Sequence, residues 1–367
     1  MIIDIHCHYT FSQRWARIGE RFSFEPAEIN GAPALDSGIS PRALRRPTWR
    51  LSKRLLGLDP RLEAGPVLDG ALGKFYRKHL ASEGPVERIV LLAFDFYHDD
   101  SGRRAPLAET RRDRGGDIYT SNTLVREECR RHPDRYLFGA SVHPYRHNAA
   151  ECVEEAFRGG ACLLKWIPLH QNIDVADPRT LDVMRCCARL GLPLLVHYSE
   201  EFTLATQHPE YRPAAPLLAA LRKLRDEGAM PITIVAHVAT PVTLWGERRS
   251  HRALLSALRG EFTDAPLYAD ISALTSWGKI GFLRKMAREQ DLHAKLLFGS
   301  DFPVPIGLWR LRRDLGREYR RIQAYPSWIA EAALICRNIG FNEIVMHRSG
   351  GLLSNLDYFS NLPASRS

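Results

Sequence analysis

Short apolar runs, rich in leucine and β-branched residues, alternate along the chain with longer stretches of helical character. Runs of this kind, bounded by polar residues and glycine, are typical of strands. The sequence predicts eight strands, at residues 2–8, 87–94, 135–143, 161–167, 192–197, 232–237, 267–272 and 295–301.

Helix boundaries are marked in the stretches between these runs. Asp177 and Pro178 form a helix start, with the aspartate as the N-cap residue and the proline in the first turn. Gly191, Gly228 and Gly260 each follow a helical run and mark its end. Strand, helix and strand in repetition indicate parallel strands joined by crossover helices.

Two α/β architectures have this alternation, the closed barrel and the open doubly wound sheet. Eight units are the number that closes a (β/α)8 TIM barrel. The G-x-G-x-x-G motif of open dinucleotide-binding sheets does not follow the first strand. We therefore predict an α/β fold of the TIM barrel type, as a single domain over residues 1–367.

A long segment, residues 9–86, separates the first two strands and is rich in proline and arginine. A structureless loop of that length is rare in a compact domain, so we expect it to form helices of its own. It leaves the C-terminal end of a strand, which is the side of a TIM barrel where active sites lie. We predict a long helical insertion that acts as a lid over the barrel mouth, with a purely structural insertion as the alternative.

The composition is that of a large globular domain, with 45% apolar residues in a chain of 367. No apolar run approaches the ~20 residues that cross a bilayer, and polar residues interrupt the N-terminus too early for a signal peptide. The seven cysteines lack C-x-x-C zinc spacing, which indicates free thiols in a reducing compartment. These features predict a cytoplasmic protein.

A formal net charge of +9 raises the question of a nucleic-acid partner. The densest basic segment, "LWRLRRDLGREYRRIQ", is interrupted by Asp314 and Glu318, as in a solvated helix face. We therefore expect neither a nucleic acid nor a membrane as a partner. The excess of positive charge instead favours an anionic small molecule as the substrate.

The first strand, "IIDIHCH", ends in two histidines one residue apart. Side chains alternate across a strand, so Asp4, His6 and His8 are predicted on one face, and Ile5 and Cys7 on the other. Two imidazoles on one face at a strand end can bind one metal ion. A His-x-His pair by itself is a weak signal, because fourteen histidines occur along the chain.

Polar residues follow the apolar bodies of several predicted strands, near their C-terminal ends. In a TIM barrel the C-terminal ends of the strands meet at one rim, so these side chains would face one another. Imidazoles and a carboxylate brought together in this way are the ligands expected for zinc, manganese or iron(II). The residues are His6, His8, Lys165, His197, His237 and Asp301.

The chain resembles the amidohydrolase superfamily in the segments "DIHCH", "RYLFGASVHP", "LLKW", "GLPLLVH", "ITIVAH" and "LLFGSDFP". The resemblance is to the amidohydrolase-related branch of metal-dependent lactone and amide hydrolases and decarboxylases, and extends from residue 2 to about residue 305. It implies a (β/α)8 barrel in which His6, His8, His197 and Asp301 bind the metal. It also implies a catalytic imidazole at His237.

Lys165 lies where the chain departs from the branch's pattern, since "KWIPLHQNID" keeps the lysine and changes its surroundings. In some members of the superfamily this lysine is carboxylated and bridges two metal ions, and in others it remains an amine. A buried lysine near a cation has a depressed pKa, which favours reaction with carbon dioxide. The predicted cofactor is one divalent ion, Zn2+ before Mn2+ or Fe2+, or two ions if Lys165 is carboxylated.

These residues predict a metal-dependent hydrolase that activates a metal-bound water. Asp301 would accept the proton of the water and pass it to the leaving group, and His237 would orient the water or polarise the scissile carbonyl. Lys165 is the third catalytic candidate. The expected substrate is a small carboxylated lactone or amide.

Two other activities are compatible with the same barrel. A metal-dependent decarboxylase would use the same parts to protonate a carbon and release carbon dioxide. A TatD-like nuclease is less favoured, because its "GEIGLD"-like strand motif with a glutamate does not occur here. The oligomeric state is left open, with a homo-oligomer as one outcome.

Other polar residues that follow strands are weaker candidates. Asp95, Glu200 and Glu201 are candidates for the pocket lining, with a solvated loop as the alternative. His143, in "SVHP", is expected to cap the end of its strand and not to bind substrate.

Overall fold

All eight predicted strands are present in the computed structural model, which describes residues 1–198, 202–242 and 248–362. They form one parallel sheet in which the order of the strands follows their order along the chain. The strands are β1 Ile3–His8, β2 Arg88–Leu92, β3 Tyr136–Ala140, β4 Ala161–Trp166, β5 Leu194–Val196, β6 Thr233–Val235, β7 Leu267–Asp270 and β8 Leu296–Leu297.

The two ends of this sheet meet, which closes the barrel. The amide of Asp301 donates to the carbonyl of His6 at 2.9 Å, and the amide of His8 donates to the carbonyl of Phe302 at 2.7 Å. We call this junction between β1 and the segment after β8 the seam. The prediction of an α/β TIM barrel is confirmed.

Helices connect the strands and cover the outside of the sheet. The predicted boundaries of one of them, Pro178–Leu190, are confirmed: Asp177 accepts a hydrogen bond from the amide of Arg179 at 2.8 Å, and Gly191 ends the helix with a φ of 65°. In the described residues the α-helices are α1 Pro41–Leu44, α2 Pro47–Leu55, α3 Pro66–Leu80, α4 Asn122–Arg131, α5 Ala149–Arg158, α6 Pro168–Gln171, α7 Pro178–Leu190, α8 Ala215–Asp226, α9 Arg249–Arg259, α10 Ile280–Arg288, α11 Arg312–Leu315, α12 Glu318–Gln323, α13 Trp328–Ile339 and α14 Glu343–His347.

Two separate apolar cores lie on the two faces of the sheet. The smaller core fills the barrel interior and includes Ile3 and Ile5 of β1, Leu195 of β5 and Ile234 of β6. The larger core lies between the sheet and the helices. Because the strand bodies are buried on both faces, as in other parallel sheets, polar side chains can converge only at the strand ends.

The predicted alternation along β1 is wrong, because the strand contains a bulge. Between Asp4 and Cys7, two residues of β1 lie opposite one residue of β2. Ile5 lies in the barrel interior, whereas Cys7 lies in the outer core, where its thiol donates to the Asp4 carboxylate at 3.1 Å. The bulge thus separates Asp4 from the histidines and turns His6 and His8 toward the inside of the barrel mouth.

The insertion between β1 and β2 contains strands as well as the predicted helices, α1, α2 and α3. Gln13–Trp15 and Leu35–Ile39 form an antiparallel sheet with Ile118–Thr120, which belongs to the loop after β2. A hairpin pairs Glu28–Ile29 with Ala32–Pro33. A helical description of the insertion is therefore too narrow, because its short strands are paired with a segment distant in sequence.

The helix α3 packs against the seam. The ring of Phe75 stacks on that of Phe302, the residue after Asp301, with ring centroids 5.4 Å apart. The hydroxyl of Tyr76 donates to the carbonyl of Thr10 at 2.7 Å, which ties the helix to the start of the insertion. The insertion therefore contacts the strand ends at which the predicted site residues lie, and its role as a lid stays a prediction.

Two expectations from composition can be compared with the described residues. Within them, no helix has the length and the apolar character needed to cross a membrane. All seven cysteines are buried and free, as their spacing predicts.

Candidate metal centre

Three of the four predicted metal ligands meet at the seam. The Nε2 atoms of His6 and His8 lie 3.3 and 3.2 Å from one oxygen, Oδ1, of the Asp301 carboxylate. His6 and Asp301 are buried, and the side chain of His8 is 21% exposed. The cluster can therefore be reached from the barrel mouth on the side of His8.

The spacing of these atoms suits a small divalent ion. Two ligands at 2.0–2.1 Å from a tetrahedral zinc ion are about 3.3 Å apart, and His6, His8 and Asp301 offer donor atoms that lie within 4.8 Å of one another. Imidazole nitrogens and a carboxylate oxygen also suit manganese and iron(II). The residues present therefore fit the predicted cofactor.

His197 and His237, after β5 and β6, extend this cluster. The imidazole of His237 stacks on that of His6, with ring centroids 5.0 Å apart, and its Nε2 lies 3.7 Å from Oδ2 of Asp301. The ring of His197 lies edge-on to that of His237 at 4.9 Å. His197 thus lies beside His237, and its place among the ligands remains a prediction.

Lys165 enters the same site from β4. Its side chain is fully buried, and its Nζ lies 3.1 Å from Nε2 of His6. An ammonium group only donates hydrogen bonds, so this contact requires a lone pair on Nε2 and a proton on Nδ1 of His6. The lysine and a metal ion would therefore contact the same nitrogen atom.

Asp270, which the sequence did not bring to attention, holds the other side of His6. Its Oδ2 accepts a hydrogen bond from Nδ1 of His6 at 2.9 Å, and its Oδ1 accepts from the amide of His237 at 2.7 Å. Metal-binding histidines commonly donate their second ring N–H to a carboxylate in this way. Its position in the sequence could have identified Asp270 as a candidate, because it is the last residue of β7.

Ser272 completes the support of both imidazoles. Its hydroxyl lies 3.0 Å from Nδ1 of His6 and 2.7 Å from Nδ1 of His237, and it also bonds to Asp270. The carbonyl of Ser272 accepts from Nδ1 of His237 at 3.0 Å. Both rings therefore keep their Nδ1 protons toward Asp270 and Ser272, and direct Nε2 toward Asp301.

The protonation of the site follows from burial and from its cations. Burial is the largest cause that lowers the pKa of His6, His197 and His237 well below the ordinary value, and Lys165 lowers all three further. Burial alone would raise the pKa of Asp301, but His6, His8 and Lys165 together hold it below its usual range. The site therefore offers neutral imidazoles at His6, His197 and His237, and an ionised carboxylate at Asp301, at neutral pH.

The backbone after β6 and β8 turns through conformations that are unusual for residues other than glycine. The φ angles are 55° at His237, 51° at Val238, 48° at Ala239 and 64° at Asp301. Such conformations persist only where the surroundings hold them, and they are enriched at functional sites. Here the left-handed turn directs the amide of His237 to Asp270, as described above.

The weaker candidates have structural partners. Asp95 forms a bidentate ion pair with Arg146, with both distances 2.7 Å. The ring of His143 is hydrogen-bonded at both nitrogens to backbone atoms, which fits the expectation that it stabilises a strand end. Glu200 and Glu201 lie outside the described residues.

Asp270→Asn is expected to weaken zinc binding about 10–100-fold, the usual effect of removing such a hydrogen-bond partner. In either orientation the amide nitrogen of asparagine would face a donor, Nδ1–H of His6 or the amide of His237, so one of these two hydrogen bonds would be lost. Zinc affinity measured by competition with a chromogenic chelator checks this. Asp182→Asn, at an exposed aspartate, is the matched control. Wild-type affinity in Asp270→Asn would show that the carboxylate does not set the state of His6.

Comparison with known proteins gives one family and several related folds. The sequence model of the amidohydrolase family matches residues 95–324 of the chain. No curated protein matches the sequence. An uncharacterized TIM-barrel protein from Bordetella bronchiseptica is 16% identical, with a TM-score of 0.52 over 97% of this chain and 99% of that chain.

Two similar structures have named activities. A probable 2-pyrone-4,6-dicarboxylic acid hydrolase from Acinetobacter baumannii, with citric acid bound, is 13% identical, with a TM-score of 0.50 over 96% of this chain and 98% of that chain. The 5-carboxyvanillate decarboxylase of Sphingomonas paucimobilis is 12% identical, with a TM-score of 0.48 over 92% and 98% of the two chains. At identities of 13–16%, the two matches with TM-scores of 0.50 and 0.52 show the barrel fold alone.

Proposed function

The chain belongs to the amidohydrolase family, whose members include hydrolases and decarboxylases and depend on metal ions, and from this premise we propose that it hydrolyses a small carboxylated lactone or amide. One observation carries the proposal: a single carboxylate, Asp301, faces both imidazoles of the candidate metal set and the imidazole of His237. A carboxylate in that position can bind a metal ion and also accept a proton from a reacting water.

His6, His8 and Asp301 would hold one divalent ion, with His197 as a fourth ligand. Zinc is the preferred ion, since three or four nitrogen and oxygen donors at this spacing suit it well. Such an ion supplies Lewis-acid polarisation and lowers the pKa of a bound water to about 7. A form with a second ion would require carboxylation of Lys165, and metal analysis would distinguish it from the form with one ion.

Asp301 is the proposed general base and acid. Its Oδ1 faces the ligand imidazoles, whereas its Oδ2 faces His237. One oxygen could therefore bind the metal ion while the other contacts the reacting water. Because its pKa lies below its usual range, the carboxylate is ionised at neutral pH and can accept a proton from the attacking water. The carboxyl group formed in this way can then donate the proton to the leaving alcohol or amine.

His237 is proposed to orient the water. Its Nδ1 donates to the carbonyl of Ser272, so its Nε2 carries a lone pair. A lone pair can accept a hydrogen bond from water but cannot donate one to a substrate carbonyl. Of the two roles expected from the sequence, this tautomer therefore favours orientation of the water over polarisation of the carbonyl.

Positive charge at the site supports an anionic substrate. Lys165 is fully buried beside His6, and Lys279 is 6% exposed, with its Nζ 3.4 Å from the carbonyl of Thr240, three residues after His237. The Lys279 charge is near enough to lower the pKa of His237, after the larger effect of burial. A substrate carboxylate would be attracted by these two cations, and the insertion, packed against the seam, would close over it as a lid.

The experiment is a substrate panel with purified enzyme, before and after treatment with a chelator. We expect hydrolysis of at least one carboxylated lactone or amide, loss of more than about nine-tenths of that activity with chelator, and recovery with zinc. Release of carbon dioxide from an aromatic or unsaturated acid, without hydrolysis, would replace the proposal by a decarboxylase. Activity that resists complete removal of metal would contradict both, and activity on DNA alone would point to the nuclease.

A further inference from the structure

A cavity of about 590 Å3 opens between α11 and α12, the two short helices that follow the eighth strand along the chain. Its lining includes no residue of the candidate metal centre. We call it the arginine cavity, and it is lined by Arg312, Gly316, Arg317, Tyr319, Arg320 and Gln323.

The arginine cavity is strongly basic. Three arginines and no acidic residue are among the residues that line it. The two acidic residues of the same segment have other partners: Asp314 forms a bidentate ion pair with Arg284, and Glu318 pairs with Arg321 at 3.4 Å. Across residues 1–198, 202–242 and 248–362, no acidic side chain forms an ion pair with the three lining arginines.

The turn at Gly316 holds these like charges near one another. Its φ of 52° and ψ of −118° end α11, and α12 begins two residues later. L-amino acids with side chains rarely adopt this conformation, although a Cβ here would meet no atom within 4 Å. The backbone therefore brings Arg312 to the same opening as Arg317 and Arg320.

We propose that the arginine cavity binds a small polyanion that carries two or more phosphate or carboxylate groups. Guanidinium groups form paired, charge-assisted hydrogen bonds with both kinds of anion. The phenol of Tyr319 and the amide of Gln323 add neutral donors at the same opening. An anion bound there would be attracted by the positive charges of the three arginines that line the cavity.

Two features favour a small polyanion over a nucleic acid. The volume of the cavity lies within the range of about 300–1,000 Å3 that is usual for small-molecule sites. A nucleic acid instead requires cations spread along its backbone, whereas these three arginines surround one opening between two helices. The site would bind its ligand independently of the proposed hydrolysis.

Calorimetric titration with inorganic pyrophosphate and with the tricarboxylate tricarballylate tests the proposal. One equivalent of at least one probe should bind the wild-type protein at physiological ionic strength. In Arg312→Gln/Arg317→Gln/Arg320→Gln the affinity should fall at least about 30-fold, because several charge-assisted hydrogen bonds are lost. The probe that binds more tightly identifies phosphate or carboxylate as the recognised group.

The matched control is Arg111→Gln/Arg112→Gln/Arg114→Gln, which removes the same number of positive charges from exposed positions outside the cavity. It should bind the preferred probe within about threefold of wild type, because salt screens exposed surface charges that do not contact the ligand. Equal weakening in both triple variants, or no binding of either probe to the wild type, would overturn the proposal. So would tighter binding of a 20-base-pair DNA duplex that depends on the cavity arginines.

Discussion

Asp301→Asn is expected to lower the turnover number about 10³–10⁴-fold while the fold persists. The carboxylate faces the imidazoles of His6, His8 and His237 together, and an amide in its place cannot accept the proton of the water. The fold should persist because Asp301 has a φ of 64°, which asparagine tolerates about as well as aspartate. Steady-state kinetics with the substrate found in the panel, together with circular dichroism, provide the measurement.

Two further variants sharpen this experiment. Asp264→Asn, at an exposed aspartate, should retain the wild-type turnover number. Asp301→Ala should lose as much activity as Asp301→Asn and should also unfold at a lower temperature, since alanine is disfavoured at positive φ. If Asp301→Asn kept more than about a tenth of the wild-type turnover number, outside the range expected for a general acid–base group, another residue would have to be the base.

The double variant His6→Ala/His8→Ala is expected to lose its metal almost completely. Both imidazoles contribute a nitrogen to the candidate set, and Asp301 and His197, the two proposed ligands that remain, would hold a divalent ion only weakly. Elemental analysis after saturation with zinc and removal of excess ion should give about one equivalent for the wild type and close to none for the variant. Activity should be lost in parallel.

Exposed histidines provide the control for this variant. His132→Ala/His147→Ala removes two imidazoles from the surface and should leave the metal content unchanged. Retention of metal in His6→Ala/His8→Ala would refute the assignment of the centre. A wild-type content of two equivalents, reduced to one by Lys165→Ala, would identify the two-ion form.

The fold could be predicted because its elements are marked locally. Each barrel strand is an apolar run, and α7 is bounded by Asp177 and Gly191, whose chemistry defines helix ends. The strands of the insertion were missed because pairing, and not composition, creates them. Leu35–Ile39 becomes a strand only because Ile118–Thr120, far along the chain, lies beside it.

From the sequence, the site could be predicted only as a group of polar residues at the ends of strands. The converging residues could be identified from position and type, but the bulge in β1 has no sequence signature, so Asp4 was assigned to the wrong face. The sequence does not single out Asp270, because one aspartate at the end of a strand has many ordinary explanations. Its importance becomes visible only when His6 and His237 are seen to contact it.

A metal ion bound at the seam would also stabilise the closure of the barrel. The last strand, β8, has only two residues, Leu296–Leu297, so few ladder hydrogen bonds join it to its neighbours. An open barrel would expose strand edges, which are the usual templates for aggregation. An ion held by His6, His8 and Asp301 would connect the first strand to the end of the last, across 293 residues of chain. Loss of metal would therefore do more than stop catalysis: it would remove one of the connections across the seam and leave the protein more prone to self-association.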